Sequence, residues 1–181
     1  MKEFLYNKNP MKVLSYLSKN KKNENLYGSM IAEQIGVNQG GTSIVLKRFK
    51  EMNIVNSENV GKTVVYQTKK DNPLVKAFRV FENILELNDF IERIRPYSRK
   101  VILFGSCAKG EDNIESDVDI FIIADEKERI REEISITEIE RKISPVIVTP
   151  LEFSEMSEKE KVFLLEIEKG IELWGGVNDW I

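Results

Sequence analysis

Two aspartates and the Gly-Ser turn before them are the residues of this 181-residue chain whose types and spacing could do chemistry. Gly105 and Ser106 follow the apolar run 101–104, which predicts a short buried strand that ends in a tight turn. Asp117 and Asp119 open the next apolar run, and residues two apart on a strand project from one face. Two carboxylates beside backbone N–H groups that can hold phosphate predict a site for Mg²⁺ and a nucleoside triphosphate.

The complete pattern closely resembles the signature of the DNA polymerase β-type nucleotidyltransferase superfamily, in its minimal branch. It reads Gly105-Ser106-x-Ala108-x-Gly110, then Ser116-Asp117-x-Asp119-Ile120, and the resemblance covers about residues 98–176. It implies that Asp117 and Asp119 are the metal ligands and catalytic acids. It also implies a nucleotide-binding set, to which Lys109 adds a positive charge: Gly105, Ser106, Lys109 and Ser116.

One feature of the resembled family is absent from this sequence. Active members usually carry a third carboxylate on the strand that here spans 143–148, where it helps to activate the attacking hydroxyl. The aligned positions hold Ser144 or Pro145, and neither can act as a carboxylate ligand or as a base. Substitutes from a neighbouring element remain open, namely Glu138, Glu140 and Glu152. The resemblance therefore implies nucleotide binding with impaired transfer.

Composition limits the chemistry further. The chain has no histidine, which excludes His-based catalysis and His metal sites. Its one cysteine, Cys107, excludes an internal disulfide framework, fits a reducing cytoplasm, and is interpreted as a small buried filler. The 41% apolar and 31% charged content is typical of a soluble protein, and we expect neither a membrane span nor a signal peptide.

Charge divides the chain unevenly. Residues 1–70 contain 12 Lys and Arg against 5 Asp and Glu, whereas residues 71–181 contain 15 against 25. A basic segment joined to an acidic one predicts a nucleic-acid-binding module fused to a second domain. We therefore expect an α+β protein with three parts: a DNA-binding domain over 1–70, an amphipathic linker helix over 71–97 and a small mixed α/β nucleotidyltransferase-like domain over 98–181.

The basic segment resembles the winged helix-turn-helix families of transcriptional regulators. Apolar spacing predicts helices over 10–20, 28–35 and 39–52, the last with an inward stripe of Ile44, Val45, Phe49 and Met52. A period of two then predicts a hairpin over 54–68 that turns at Gly61-Lys62. The alternative is a small helical adaptor domain that binds protein.

Double-stranded DNA is the partner that this resemblance implies. The third helix would enter the major groove with its N-terminal residues toward the bases. The base-facing candidates are Gln39, Thr42 and Ser43. Lys47 and Arg48 would contact phosphate, and Lys62 at the tip of the hairpin would reach the adjacent groove or backbone.

A third pattern is a long amphipathic helix from 73 to 94 with a wide apolar stripe. The stripe packs either onto the chain's own domains or against a second copy, which would give a homodimer with two DNA-binding modules. Beyond it the sequence predicts strands at 100–104, 118–124 and 145–148, then a short strand at 171–174. Helices are predicted at 126–142, 150–156 and 158–169.

Two functions of different classes follow. In the first, the protein is a DNA-binding transcriptional regulator whose second domain binds Mg²⁺ and a nucleoside triphosphate as a sensor, with weak or no transfer. In the second, it is a working nucleotidyltransferase that moves a nucleoside monophosphate onto a hydroxyl of a protein, an RNA or a small molecule, in one version as an antitoxin-like protein. The basic N-terminal segment and the missing carboxylate favour the first function.

Overall fold

A computed structural model describes residues 7–21, 24–156 and 160–175. The chain forms two compact units, one over 1–79 and the other over 80–181. The division falls within the long helix, so its two halves belong to different units. The sequence-based domains, with boundaries after 70 and 97, set this helix apart as a linker, and that assignment stays a prediction.

The first unit has the element order of a winged helix-turn-helix domain, in agreement with the predicted fold class. Its helices are α1 (Lys8–Lys19), α2 (Gly28–Gln34) and α3 (Gln39–Glu51), and its strands are β1 (Leu26–Tyr27), β2 (Val55–Val60) and β3 (Thr63–Thr68). The strands form an antiparallel sheet in the order β1-β3-β2. Gly61 has a φ of +61° at the hairpin turn, the conformation expected for glycine at the first turn position.

Helix α1 and strand β1 differ from the prediction. The helix starts at Lys8 rather than Pro10, so Asn9, the residue before the predicted start, lies inside the first turn. Pro10 is tolerated there because first-turn N–H groups have no helical partner. Strand β1 was not predicted, since a strand of two residues shows no periodicity. It pairs with β3 through Leu26 and Tyr27.

Helix α3 begins and ends as predicted, to within one residue. The side chain of Asn38 accepts a hydrogen bond from the Gly41 N–H at 2.7 Å, and Asn53 ends the helix with a φ of 61°. The predicted inward stripe was wrong at Ile44, which is 69% exposed. The buried stripe is instead Thr42, Val45, Leu46 and Phe49, with spacings of three, one and three residues.

The long helix α4 spans Pro73–Ile94, as predicted. Its first half packs Leu74, Val75 and Phe78 into the core of the first unit, and its second half supplies Leu87, Phe90, Ile91 and Ile94 to the core of the second. Phe81, Ile84 and Leu85 lie between these sets and are 48%, 37% and 57% exposed. A homodimer through this helix stays a prediction that would bury them, and a monomeric mass in solution would contradict it. No helix among the described residues is long and apolar enough to cross a membrane.

The second unit is built on a four-stranded sheet in the order β6-β5-β4-β7. Its strands are β4 (Lys100–Leu103), β5 (Val118–Ile123), β6 (Ile143–Val148) and β7 (Ile171–Gly175). Its helices are α5 (Gly105–Lys109), α6 (Lys127–Ser135), α7 (Pro150–Ser154) and α8 (Lys161–Glu168), and a 3₁₀ turn at Arg95–Tyr97 follows α4. Strands β5 and β6 are parallel, whereas β4 is antiparallel to both of its neighbours.

Strand β5 is buried on both faces, which explains its unbroken apolar run. One face carries Val118, Ile120 and Ile122, which pack with the second half of α4 and with α6. The other carries Phe121 and Ile123, which pack with side chains of α7 and α8. The aspartate face of β5 is therefore the face that α7 and α8 cover.

The predicted helix over 126–142 was too long. Helix α6 ends at Ser135, where the hydroxyl groups of Ser135 and Thr137 donate to the carbonyl oxygens of Glu132 and Glu133, both at 2.7 Å. Such local bonds compete with helical ones. Strand β6 begins two residues before the predicted start and is an edge strand, as Pro145 indicated. The predicted helices near 150–156 and 158–169 are α7 and α8, and residues 157–159 lie outside the described part of the chain.

Candidate functional site

The turn after β4 holds one of the two aspartates in close contact with the backbone. The Phe104 N–H donates to the Asp119 carbonyl at 3.0 Å, and the chain then turns through Gly105 with a φ of +67°. A Cβ atom built on Gly105 would lie 2.5 Å from Oδ2 of Asp119. This position therefore needs glycine twice, once for its backbone conformation and once for space beside the carboxylate.

The two aspartates differ in exposure. Asp117, one residue before β5, is exposed, whereas Asp119 within the strand is partly buried. Burial raises the pKa of Asp119, and the nearby charge of Asp117 raises it further. A bound cation would relieve both effects, because it would neutralise the pair and replace the water that Asp119 has lost.

The neighbouring strand β6 completes this patch. Asp119 pairs in register with Ser144, and the Val118 N–H donates to the Lys142 carbonyl at 2.9 Å. Paired residues share a face of the sheet, and residues two apart on a strand do also. Nζ of Lys142 lies 3.9 Å from Oδ2 of Asp117. We call these four side chains the carboxylate patch: Asp117, Asp119, Lys142 and Ser144.

The register of β5 with β6 also shows which of the two residues aligned with the third carboxylate, Ser144 or Pro145, lies beside Asp119. Pro145 pairs with Ile120, whose side chain packs in the core on the opposite face, so Ser144 is the residue beside Asp119. Among the possible substitutes, Glu152 forms a capping box with Thr149 and an ion pair with Lys127. The hydrogen bond from Lys127 is the main cause that lowers the pKa of Glu152 to about 2. The Glu152 carboxylate is thus bound to Thr149 and Lys127 at the start of α7.

The donor set of the patch fits a hard divalent cation held together with a ligand. Within the described ranges, no group of three or more Asp, Glu, Cys or His side chains could hold a metal ion by itself. Two carboxylates suit Mg²⁺, which keeps several waters and commonly takes its other oxygens from phosphate. The site therefore fits a metal that arrives with a triphosphate better than a permanent protein-bound ion.

Two residues predicted to bind nucleotide have other contacts. Lys109 forms an ion pair with Glu166 of α8, and the hydrogen bond between them raises the pKa of Lys109 and lowers that of Glu166. The Ser116 hydroxyl accepts a hydrogen bond from the Asn113 N–H at 3.0 Å. The structure thus brings Gly105 together with Asp119 and places Ser116 in the turn before Asp117, whereas Lys109 contacts α8.

A buried ionic network behind the Gly-Ser turn was not predicted. The Arg141 side chain is 1% exposed and donates to Oδ2 of Asp112 at 2.7 Å and to Oε2 of Glu86 at 2.6 Å. Burial opposes the charge of Arg141, but hydrogen bonding to Glu86 and the nearby negative groups outweigh it, and the pKa of Arg141 is raised. The cation is therefore fixed at the centre of this network.

The same network holds the segment that carries the turn. The Asn83 amide group donates to the Cys107 carbonyl at 2.9 Å and to Oδ1 of Asp112 at 3.0 Å, and its oxygen accepts from Arg141 at 3.0 Å. Cys107 is buried, as predicted, and its thiol donates to the Asp117 carbonyl at 3.4 Å. The available sequence signal was the pair of polar residues, Asn83 and Glu86, three apart in the apolar part of α4.

On α3 the predicted DNA-facing residues separate into two groups. Gln39, Ser43 and Lys47 are exposed at successive spacings of four, which places them on one face of the helix. Thr42 is fully buried, so the prediction that it faces bases was wrong; it falls on the apolar stripe that packs into the core. Arg48 is exposed but ion-paired with Glu51 at 2.6 Å. Lys62 is exposed at the hairpin turn.

Comparison with known proteins gives one family and weak structural likenesses, NolR and TrmBL2 among them. The family described as "Polymerase beta, Nucleotidyltransferase" matches residues 82–175, just over half of the chain. NolR from Sinorhizobium fredii is 19% identical over 50% of this chain and 77% of that chain, with a TM-score of 0.33. TrmBL2, described as an archaeal chromatin protein with a novel mode of DNA binding, is 16% identical over 88% of this chain and 74% of that chain, with a TM-score of 0.34. No protein of curated function matches the chain.

Proposed function

The chain belongs to the polymerase beta nucleotidyltransferase family, and we propose from this premise that it is a DNA-binding regulator whose second unit binds a nucleoside triphosphate with Mg²⁺. The observation that carries the nucleotide part is the close fit of the Asp119 carboxylate against Gly105, with Asp117 on the same face. The two likenesses with TM-scores below 0.5 add nothing to the proposal.

In the proposed site, the two aspartates, the Gly-Ser turn and Ser144 have separate roles. Asp117 and Asp119 would hold Mg²⁺, and the bound ion would neutralise charge on the triphosphate. The turn at Gly105 and Ser106 leaves room for phosphate next to the backbone N–H groups. Ser144 stands where a third carboxylate would take a proton from an attacking hydroxyl, and its own hydroxyl is too weak a base for that step. The site should therefore retain nucleotide binding while nucleotidyl transfer is impaired, as a nucleotide sensor requires.

Calorimetric titration of ATP and GTP with Mg²⁺ tests the nucleotide proposal. We expect metal-dependent binding by the wild type and its loss in the Asp117→Asn/Asp119→Asn variant, because the amides are poor ligands for Mg²⁺. Asp125→Asn is the matched control, since this exposed carboxylate lies just beyond the other end of β5 and pairs with Arg99. The proposal would be contradicted if the wild type did not bind nucleotide, or if the Asp117→Asn/Asp119→Asn variant bound it as tightly as the wild type.

Catalytic transfer is the second candidate, and the intact pairing of Gly105 with Asp119 favours it. In this case a hydroxyl of a protein, an RNA or a small molecule attacks the α-phosphorus, the bond from that phosphorus to the oxygen bridging the α- and β-phosphates breaks, and pyrophosphate leaves while the hydroxyl proton passes to water. Pyrophosphate release that Asp119→Asn abolishes would support transfer. If no nucleotide and acceptor pair gave pyrophosphate release, only the proposal of a DNA-binding regulator would remain.

DNA binding is proposed from the exposed face of α3 and the basic charge of residues 1–70. Lys47 and Arg48 lie where phosphate contacts are expected, and Lys47 should contribute more because Arg48 already pairs with Glu51. We expect Lys47→Ala/Arg48→Ala to weaken binding to a mixed-sequence duplex. The salt dependence should flatten by about one unit of slope for each phosphate that is no longer neutralised.

The matched control for this experiment is Lys8→Ala/Lys19→Ala, which removes the same charge from α1. Fluorescence anisotropy over a range of salt concentrations would measure both variants. Equal loss in the two would mean that only net charge matters, and unchanged affinity in both would argue against DNA as the partner. Repeating the titration with Mg²⁺ and ATP would test the sensory role directly.

A further inference from the structure

Lys109 and Lys142 are two lysines that could bind the triphosphate, and the structure gives them different partners. Lys109 on α5 is bound to Glu166 of α8, so its charge is already matched by a carboxylate outside the patch. Lys142 belongs to the patch itself, with Nζ 3.9 Å from Oδ2 of Asp117. Because its side chain is 78% exposed, the ammonium group can move without breaking a buried contact.

The backbone of Lys142 is fixed although its side chain is exposed. Its carbonyl accepts the Val118 N–H at 2.9 Å, directly before the parallel pairing of Val118 with Ile143 begins. The Cα atom is therefore held at the open end of β5, beside Asp117. The side chain alone can therefore move, and its ammonium group can contact either Asp117 or a ligand.

Charge balance indicates which ligand that is. A divalent cation at Asp117 and Asp119 would neutralise the carboxylate that Lys142 now contacts and would repel the ammonium group. A triphosphate that arrives with the cation brings more negative charge than one Mg²⁺ can offset. The displaced ammonium group would then find phosphate oxygens within reach of the same backbone position.

We infer that Lys142, and not Lys109, is the lysine that binds the triphosphate. This inference rests on the proposed nucleotide site and adds to it a residue that the family motif does not contain. Without a ligand, the ammonium group of Lys142 contacts the Asp117 carboxylate and competes with free divalent cations for it. Lys142 thus disfavours metal alone and favours metal with nucleotide.

The test is a pair of titrations on Lys142→Met in the full chain, which keeps an aliphatic stem and removes the charge. For Mg²⁺ with ATP we expect binding weaker by roughly tenfold to a hundredfold, the usual range for removal of a charge-assisted hydrogen bond. For Mn²⁺ alone we expect binding that is equal or tighter, because the competing cation is gone. A merely structural role would weaken both titrations together.

Lys109→Met tests the choice between the two lysines: an affinity for Mg²⁺ with ATP within about twofold of the wild type supports the inference, and a loss as large as that in Lys142→Met overturns it. Lys142→Arg should restore most of the affinity that Lys142→Met loses. If the wild type binds and Lys142→Met binds equally well, the inference is overturned and the proposed function stands. If the wild type itself fails to bind, both are overturned. Weakened binding of Mn²⁺ alone in Lys142→Met would also overturn the inference.

Discussion

Replacing Gly105 with alanine is expected to abolish Mg²⁺-dependent nucleotide binding in a protein that still folds. The positive φ of +67° costs about 1–2 kcal/mol for any residue with a Cβ atom. The larger effect is local, because the new Cβ would lie 2.5 Å from Oδ2 of Asp119. Asp119 sits on a strand that is buried on both faces, so its carboxylate must rotate away from the turn. Calorimetric titration of ATP with Mg²⁺ measures the loss.

Gly61→Ala separates backbone strain from the clash. Gly61 has nearly the same φ, +61°, and a Cβ there meets no atom within 4 Å. We expect this control to lose stability by a similar strain and to bind nucleotide as the wild type does. Normal nucleotide binding by Gly105→Ala would show that the contact between Gly105 and Asp119 is not needed for the site.

The predictable part of the site was the part fixed by short-range rules. A strand that ends in Gly-Ser and a strand that opens with Asp-x-Asp are local patterns, and period two alone places Asp117 and Asp119 on one face. The same holds for α3, where Asn38 caps the start and Asn53 the end. These features need no knowledge of what packs against them.

The wrong predictions involve the choice of buried face. On α3, Ile44 was predicted to be buried and is exposed, whereas Thr42 was predicted to face DNA and is buried. The same spacing of apolar residues fits two helix faces that differ by a rotation of one residue. On β6, only the register with β5 shows that Ser144 lies beside Asp119, and only the tertiary structure places Lys142, just before β6, beside Asp117. Register depends on tertiary pairing, so the sequence left Ser144 and Pro145 as equal alternatives.

The ionic network was beyond sequence reasoning because its members are far apart in the chain. Arg141 and Asn83 are 58 residues apart, and Arg141 belongs to the stretch 126–142, which was predicted to be a single helix. Charged residues are rarely buried without partners, so burial of Arg141 follows from the positions of Asp112 and Glu86 in the fold.

Replacing Arg141 with methionine is expected to lower the free energy of unfolding of the second unit by about 3–5 kcal/mol, since it leaves buried acids without their cation. The Asp112 side chain is fully buried and the Glu86 side chain is 24% exposed, so water can compensate Glu86 only in part. Urea denaturation followed by tryptophan fluorescence reports on this unit, because Trp174 packs against its core and residues 1–79 contain no tryptophan.

Arg131→Met makes the same chemical change on the surface of α6, where Arg131 pairs with the exposed Glu128. It should cost less than about 1 kcal/mol, as exposed ion pairs do. Adding Asp112→Asn to Arg141→Met should recover part of the loss, because the neutral amide needs no cation. If the double variant were no more stable than Arg141→Met, the loss would come from packing of the long side chain. If Arg141→Met matched Arg131→Met, the network would not stabilise the unit that holds the carboxylate patch.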